Sequence, residues 1–258
     1  MNTRCFIAIN CKSKLNMKCS YHNLILSSLN VTMCLIPNDF LSNSIKQNGH
    51  WKECDEIVQT SKSSQVFVDI GANIGACSIQ ALVQTSNDIY AIEPIEKHLF
   101  YLKESIRLLD TKFPFLNVSQ RIQLIPKPVG SRVYNVNFHS DSGNTGHTFV
   151  NEISEKSNFT VDTLDHLLFK SVKNKKVTVK IDVEGFECHV FLGMVSILKN
   201  VEHIQFEMSD SWLAKQGCSK EILLGILKTN HFAIPRKMYQ MRSHYGTNML
   251  VHKIRNSD

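Results

Sequence analysis

The chain has 258 residues, of which 43% are hydrophobic and 20% are charged. This ordinary globular balance excludes wholesale disorder and collagen-like repeats. At about 150 residues per domain, the length fits one α/β domain with additional segments, or two small domains. Lys and Arg number 29 against 23 Asp and Glu, a net charge of +6. Domains that bind nucleic acid usually carry a larger excess of basic residues, so we do not expect a nucleic-acid partner.

The eight cysteines include no Cys-x-x-Cys pair, so the sequence does not indicate a zinc ribbon or a thioredoxin-type motif. A chain of this size buries a large core without disulfides, and we predict free thiols in a reducing compartment. The most apolar stretch, Leu24 to Ile36, has 13 residues and includes polar ones, too few to span a bilayer. No secretory leader is recognisable. We therefore expect a cytoplasmic chain without a membrane span, and its oligomeric state stays open.

Short apolar runs alternate with helical spacing beyond residue 60, which predicts an α/β architecture. The predicted strands cover residues 65–70, 88–92, 121–125, 133–138, 177–182 and 203–208. The predicted helices cover residues 74–83, 95–109, 163–169, 185–198 and 219–228. Two further short strands, residues 231–234 and 248–252, are expected to form an antiparallel hairpin at one sheet edge. Strands joined by helices imply parallel pairing, so the predicted fold is a Rossmann-like, doubly wound, mostly parallel sheet of seven strands. Residues 1–60 do not fit this pattern and are predicted to form an N-terminal extension or cap on a domain of residues 61–258.

The turn after the first predicted strand carries the first chemical signal. It reads Asp69-Ile70-Gly71-Ala72-Asn73-Ile74-Gly75, with two glycines four residues apart. This spacing differs from the glycine motifs that bind dinucleotides or nucleoside triphosphates. Glycines let the backbone turn sharply and approach a ligand closely. Asp69 would repel a phosphate, so the turn suits a ligand with an ammonium group or hydroxyl groups.

The second predicted strand ends in a second carboxylate, Glu93, 22 residues after Gly71. A carboxylate at this position in a βαβ unit can accept the hydroxyl groups of a ribose. A ligand with an amino-acid end and a ribose but no phosphate is S-adenosylmethionine. The alternative interpretation is an ordinary glycine turn beside a surface acid.

Four sequence blocks in this order resemble the FkbM-type methyltransferases, which are similar to other Rossmann-like enzymes that use S-adenosylmethionine. The resemblance covers roughly residues 66–252. Members are expected to methylate hydroxyl oxygens, often on sugars or natural products. The four blocks are residues 68–75, 91–94, 161–165 and 179–187.

The resemblance also implies roles for individual residues. The loop for the methionine end of the cofactor would consist of Asp69, Gly71, Ala72, Asn73 and Gly75. Glu93 would accept the ribose, and the turn with Val129 and Gly130 would approach the adenine. Asp182 and Glu184 would lie beside the methyl donor. The stretch from Ile45 to Trp51 matches the family only loosely, so the role of residues 1–60 stays open.

Removing the proton of a hydroxyl acceptor requires a carboxylate or a histidine when no metal is present. Asp182 and Glu184 are the catalytic candidates by position, with Asp182 also a cofactor contact. No cluster has metal-ligand spacing, so we predict no metal site, although a divalent ion shared by the two carboxylates stays open. Alternatively, one of them caps the helix that follows. Lys180 lies on the same strand face as Asp182 and, if buried, should pair with a carboxylate.

Further candidates for the site are His147 and Glu207. The first hypothesis for function is O-methylation of a small molecule or a glycan. The second is methylation of nucleic acid or protein. The third is a non-catalytic module that retains the fold and the cofactor.

Overall fold

A computed structural model describes residues 17–140, 148–153, 159–240 and 246–254. Within these residues the strands are β1 (Ser20–Leu26), β2 (Leu29–Leu35), β3 (Val66–Ile70), β4 (Asp88–Ile92), β5 (Ile122–Ile125), β6 (Tyr134–Ser140), β7 (Thr148–Ile153), β8 (Phe159–Val161), β9 (Val177–Ile181), β10 (Val201–Met208), β11 (Phe232–Ala233) and β12 (Thr247–Lys253). The helices are α1 (Phe40–Asn48), α2 (Asp55–Ser61), α3 (Ala76–Gln84), α4 (Glu96–Lys112), α5 (Val118–Arg121), α6 (Leu164–Val172), α7 (Glu187–Leu192), α8 (Asp210–Lys215), α9 (Lys220–Thr229) and α10 (Arg236–Gln240).

Seven of the described strands form one sheet in the order β11-β12-β10-β9-β3-β4-β5. The strands from β10 to β5 pair in parallel. Strand β12 pairs antiparallel with β10 and with β11, which makes the predicted hairpin at one edge. The structure therefore confirms the Rossmann-like, mostly parallel seven-stranded sheet.

Alternating side chains of the central strands build a core on each face of the sheet. Every residue of β3 is buried. Val66, Val68 and Ile70 pack into one hydrophobic cluster, whereas Phe67 packs into the other. The period-two alternation of a strand sends successive side chains to opposite faces, so a strand covered on both faces reads as a continuous apolar run.

The N-terminal segment, residues 17–61, adds a hairpin and two helices to this sheet. Strands β1 and β2 pair antiparallel, so the apolar stretch from Leu24 to Ile36 is mostly hairpin. Leu24, Val31 and Ile57 lie in the same hydrophobic cluster as Phe67. The domain boundary near residue 60 stays a prediction. Within the described ranges, no helix has the length and apolar character that crossing a membrane requires.

Two predicted elements differ from the structure. The helix predicted over 185–198 is shorter, because α7 ends at Leu192 and a 3-10 turn follows at Ile197–Asn200. A Cβ at Gly193 would lie 1.9 Å from the carbonyl oxygen of Gly130, so the chain ends the helix where it crosses another backbone. The strand predicted over 133–138 forms, but in a separate three-stranded sheet of order β7-β6-β8.

The prediction of free thiols is wrong for six of the eight cysteines. Disulfides join Cys19 to Cys34, Cys54 to Cys77, and Cys188 to Cys218. The pairs are 15, 23 and 30 residues apart, so each depends on the fold and leaves no local sequence pattern. Chain length shows only that disulfides are not required; it does not exclude them.

Candidate active site

A cavity of about 240 Å³ opens at the carboxyl ends of the central strands. In an open α/β sheet, this edge is where ligands bind. The lining residues that come from the sheet edge are Asp69, Gly71, Ala72 and Asn73 after β3, Glu93 after β4, Pro128 and Val129 after β5, Lys180, Asp182 and Glu184 on and after β9, and Glu207 on β10. Of the predicted cofactor residues, Gly75 and Gly130 lie behind the lining.

The glycine turn after β3 depends on close backbone packing. Gly71 has φ +77°, and a Cβ there would lie 1.8 Å from the carbonyl oxygen of Asp182. Gly75 has φ +88°, and its Cβ would lie 2.2 Å from Leu102 Cδ1. Both positions favour glycine for its left-handed conformation and for its small size. The turn therefore brings the start of α3 up to the cavity.

The buried carboxylate of Asp69 lies beside Lys180, its register partner on the neighbouring strand β9. Asp69 Oδ2 accepts a hydrogen bond from Ser78 Oγ at 2.7 Å. Asp69 Oδ1 has no hydrogen bond, and Lys180 Nζ lies 3.5 Å from it. The same ammonium donates to Asp182 Oδ2 at 3.2 Å. The structure thus confirms that Lys180 is buried, 5% exposed, and that it pairs with carboxylates.

Glu93 is held at the end of β4 by backbone donors. Its Oε2 accepts from the backbone N–H of Asn73, and its Oε1 accepts from that of Ile95, both at 2.8 Å. His98 Nδ1 lies 3.4 Å from Oε1. Each carboxylate oxygen can accept more than one hydrogen bond. Glu93 is therefore a rigid acceptor that keeps capacity for a ligand.

Val129 lines the cavity at the end of the sheet beyond β4. Gly130 lies directly behind it, where a Cβ would come within 2.9 Å of Phe186 and Val161. The Gly130 N–H donates to the carbonyl of Asp162 at 2.8 Å. Pro128 and Val129 therefore give the cavity an apolar part of its lining beyond β4.

Three carboxylates converge beyond β9 and β10. Asp182, Glu184 and Glu207 each bring one oxygen within 4.8 Å of the others. Glu184 has φ +54° and is followed by Gly185 at φ +97°, a left-handed backbone that costs a non-glycine residue about 1 to 3 kcal/mol. Carboxylate oxygens are ligands for hard cations, and this cluster leaves the prediction of no bound metal untested.

Burial and neighbouring charges shift the pKa values of ionisable groups at this end of the cavity. Burial and the nearby Asp182 and Glu184 raise the pKa of Glu207 to about 10. Burial raises the pKa of Glu187 to about 7. Burial opposes the charge on Lys180, but Asp182 and Asp69 outweigh it and raise the pKa of this ammonium. Glu207 therefore binds a proton near neutral pH, and Lys180 keeps its charge.

The helix-capping alternative for Asp182 and Glu184 is wrong. Helix α7 begins with Phe186 as its N-cap residue and has no side-chain cap. The backbone N–H groups of Val183 and Gly185 instead donate to Glu187 Oε1, at 3.2 Å and 3.3 Å. The carboxylate of Glu187, inside α7, therefore accepts from the backbone N–H groups of this turn. Asp182 and Glu184 line the cavity instead.

The N-terminal segment, predicted as an extension or cap, forms one wall of the cavity, and the sequence did not predict which of its residues line it. The wall consists of Phe40, Leu41, Trp51 and Glu53. The loosely matching stretch that ends at Trp51 was the only signal for it. Phe138 and Phe186 add further aromatic lining. Glu207, a further candidate, lines the cavity, whereas His147 lies outside the described residues.

The cavity fits S-adenosylmethionine at three points. Gly75 caps α3 without a side-chain hydrogen bond, so the first N–H groups of this nine-residue helix can receive a carboxylate. Asp69 Oδ1 is buried and accepts no hydrogen bond, and the Lys180 ammonium lies 3.5 Å from it, so this oxygen already faces one cation and can accept from a second ammonium. Glu93 is positioned to accept hydroxyl groups. These three groups match the methionine carboxylate, the methionine ammonium and the ribose.

Comparison with solved structures finds similar folds at low identity. An FkbM methyltransferase from Methylobacillus flagellatus KT is 18% identical with a TM-score of 0.41, over 64% of this chain and 37% of that one. A putative rRNA-methylase from Clostridium thermocellum is 10% identical with a TM-score of 0.44, over 78% of this chain and 96% of that one. The N-terminal domain of EvdMO1, solved with S-adenosylhomocysteine and D-fucose, is 10% identical with a TM-score of 0.42, over 80% of this chain and 84% of that one. The chain thus spans 37% of the length of the Methylobacillus protein.

A family model identifies the chain more directly. The model of the methyltransferase FkbM domain matches residues 69–246. A comparison with curated proteins finds no match. The matched range begins at Asp69 and includes the glycine turn, Glu93 and the acidic turn after β9. The chain therefore belongs to the FkbM methyltransferase family.

Proposed function

We propose that this chain transfers the methyl group of S-adenosylmethionine to a hydroxyl oxygen on a small molecule or a glycan. The observation that carries the proposal is the carboxylate cluster of Asp182, Glu184 and Glu207 beside the glycine turn. A hydroxyl group must lose its proton as its oxygen is methylated, and a carboxylate in a partly dry site is a suitable base.

In this proposal the edge between β3 and β4 holds the cofactor. Gly71, Ala72, Asn73 and Gly75 shape the loop, and the start of α3 receives the methionine carboxylate. Asp69 takes the ammonium and Glu93 takes the ribose. The turn with Val129 and Gly130 forms the wall against the adenine.

The chemistry at the other end requires proton removal and orientation. When bound, S-adenosylmethionine supplies a methyl group that its sulfonium charge already activates. Asp182 or Glu184 accepts the proton of the hydroxyl group. Lys180 donates to Asp182 at 3.2 Å and so orients that carboxylate. Holding the two reactants in line supplies much of the acceleration in such transfers.

The test uses S-adenosylmethionine with a labelled methyl group, incubated with cell extract separated into small-molecule, glycan, protein and RNA fractions. We expect label in a base-stable ether of the small-molecule or glycan fraction, and at least a tenfold lower rate for Asp182→Asn. Label that is released by nuclease or protease digestion would instead identify a nucleic-acid or protein methyltransferase. A chain that binds the cofactor and labels no fraction would be a non-catalytic module.

The cytoplasmic location predicted from the sequence depended in part on free thiols. The three disulfides support an oxidising compartment instead, because cytosolic proteins rarely keep disulfides. Alkylation of the native protein before and after reduction, followed by mass spectrometry, tests this. Six protected cysteines are expected, and eight reactive thiols would restore the cytoplasmic interpretation.

A further inference from the structure

The wall formed by the N-terminal segment places aromatic rings and a carboxylate at the mouth of the cavity. Phe40, the first residue of α1, is 69% exposed. Its ring meets that of Trp51 edge to face, with centroids 6.4 Å apart. Glu53 follows two residues later and also lines the cavity. An exposed aromatic surface at the rim of a concave site indicates a contact for a ligand.

This wall is fixed in place before any ligand binds. Cys54, next to Glu53, forms a disulfide with Cys77 in the helix that follows the glycine turn. The carbonyl of Glu53 accepts from Gln205 Nε2 at 3.0 Å, and its carboxylate accepts from Asn248 Nδ2 at 2.7 Å. The wall therefore loses little conformational entropy when a ligand binds to it.

The charge of the cavity restricts that ligand. Lys180 and His98 are the basic side chains among the described residues that line the cavity, and no arginine lies there. Nearby negative charge works against a further anion, since like charges repel strongly in a partly buried site. Burial, and after it the charge of Asp182, raise the pKa of Glu53. The carboxyl side chains that line the cavity are Glu53, Asp69, Glu93, Asp182, Glu184 and Glu207.

We propose that Phe40, Trp51 and Glu53 form the acceptor subsite, and that it takes a saccharide ring bearing hydroxyl or amino groups and no acidic group. The apolar face of such a ring packs on aromatic side chains, and its hydroxyl groups donate to carboxylates. The acidic lining rejects uronic acids and phosphorylated sugars. The inference deepens the proposed function and rests on it.

The two tryptophans of the chain, Trp51 and Trp212, allow a binding test that does not depend on turnover. The chain is saturated with S-adenosylhomocysteine and titrated with matched methyl glycosides of glucose, glucosamine and glucuronic acid, and with the galactose series. We expect the neutral and amino glycosides to change tryptophan emission, and the uronates to bind at least tenfold more weakly. The change should vanish in Trp51→Phe and persist in Trp212→Phe.

A second variant tests the charge selection. Glu53→Gln keeps an oxygen that can accept from Asn248 and removes the negative charge. We expect it to reduce the preference against uronates at least threefold, whereas Glu221→Gln, an exposed acid outside the cavity lining, leaves the preference unchanged. A purely structural role for Glu53 would not alter this ratio.

Three results would overturn the subsite. The first is that uronates bind as tightly as neutral glycosides. The second is that the emission change persists in Trp51→Phe. The third is that no glycoside changes the emission although S-adenosylhomocysteine binds. In the last case the cofactor site stands and only the subsite fails. Failure of S-adenosylhomocysteine to bind in calorimetry would instead contradict the proposed function itself.

Discussion

At the β3–β4 end of the cavity, glycines shape the turn and backbone N–H groups hold the carboxylate of Glu93, whereas the β9–β10 end holds a cluster of acidic side chains. Glu93 receives two backbone N–H groups. In contrast, Asp182, Glu184 and Glu207 each bring one oxygen within 4.8 Å of the others, and Lys180 Nζ lies 3.2 Å from Asp182 Oδ2. The first end is shaped by close backbone packing and the second by the charges of neighbouring side chains.

Because the two ends are built differently, we expect them to tolerate different substitutions. A site made of backbone turns fails when a side chain no longer fits. A site made of close charges fails when its balance of charge is altered, because a buried charge without a partner costs far more than the pair contributes. Substitutions that act on only one of these properties should therefore separate the two ends.

The largest effect is expected from Lys180→Met. This change leaves Asp69 and Asp182 beside each other without their buried cation, and we expect a loss of about 3 to 5 kcal/mol in the free energy of unfolding. Denaturant unfolding measures it. The double variant Lys180→Met, Asp69→Asn should recover part of the loss. Unchanged stability and turnover in the single variant would contradict the charge-balance account.

Removal of the Cys54–Cys77 disulfide tests whether the N-terminal wall is covalently fixed to the cofactor end. The bond closes a loop with a sequence separation of 23 residues, for which loop entropy predicts a loss of about 3 kcal/mol. We expect Cys54→Ala, Cys77→Ala to lower stability by this amount and to weaken acceptor binding more than cofactor binding. Equal weakening of both would show that the wall also supports the cofactor end.

Gly71→Ala tests the backbone-built end. The new Cβ would meet the carbonyl of Asp182 in a left-handed conformation, and we expect a loss of about 2 to 3 kcal/mol together with cofactor binding. The matched control is Gly217→Ala, where φ is +71° and no atom lies within 4 Å of the new Cβ. The control should lose only about 1 kcal/mol. Similar losses in both variants would mean that strain alone, rather than close packing, explains Gly71.

The smallest effect is the pH dependence of the acidic end. In the folded chain the pKa of Glu207 is raised from 4.5 to about 10, and that of Glu187 from 4.5 to about 7. The folded state thus holds protons that the unfolded state has released, so stability is complete below about pH 4.5 and falls as pH rises through these values. We expect the melting temperature to fall from about pH 5 to pH 9, and Glu207→Gln to make that fall shallower, because the variant no longer releases this proton on unfolding. A slope that is unchanged in Glu207→Gln would assign the effect elsewhere.

The same contrast explains how much the sequence could predict. The strand, the glycine turn and Glu93 are contiguous or one βαβ unit apart, so their spacing records their geometry. The pairing of Lys180 followed from burial and strand alternation. The wall with Trp51 and Glu53 reaches the cavity through tertiary packing and a disulfide to Cys77, and no local pattern encodes those contacts. The early end of α7 depends likewise on the approach of Gly193 to a distant turn.

The most direct test of the account is calorimetric titration of the folded chain with S-adenosylmethionine, beside the variant Asp69→Ala, Glu93→Ala. We expect one site of roughly micromolar affinity in the unmodified chain, the range of many enzyme–cofactor constants, and its loss in the double variant. Absence of binding to the well-folded unmodified chain would contradict the cofactor site from which every other role is derived.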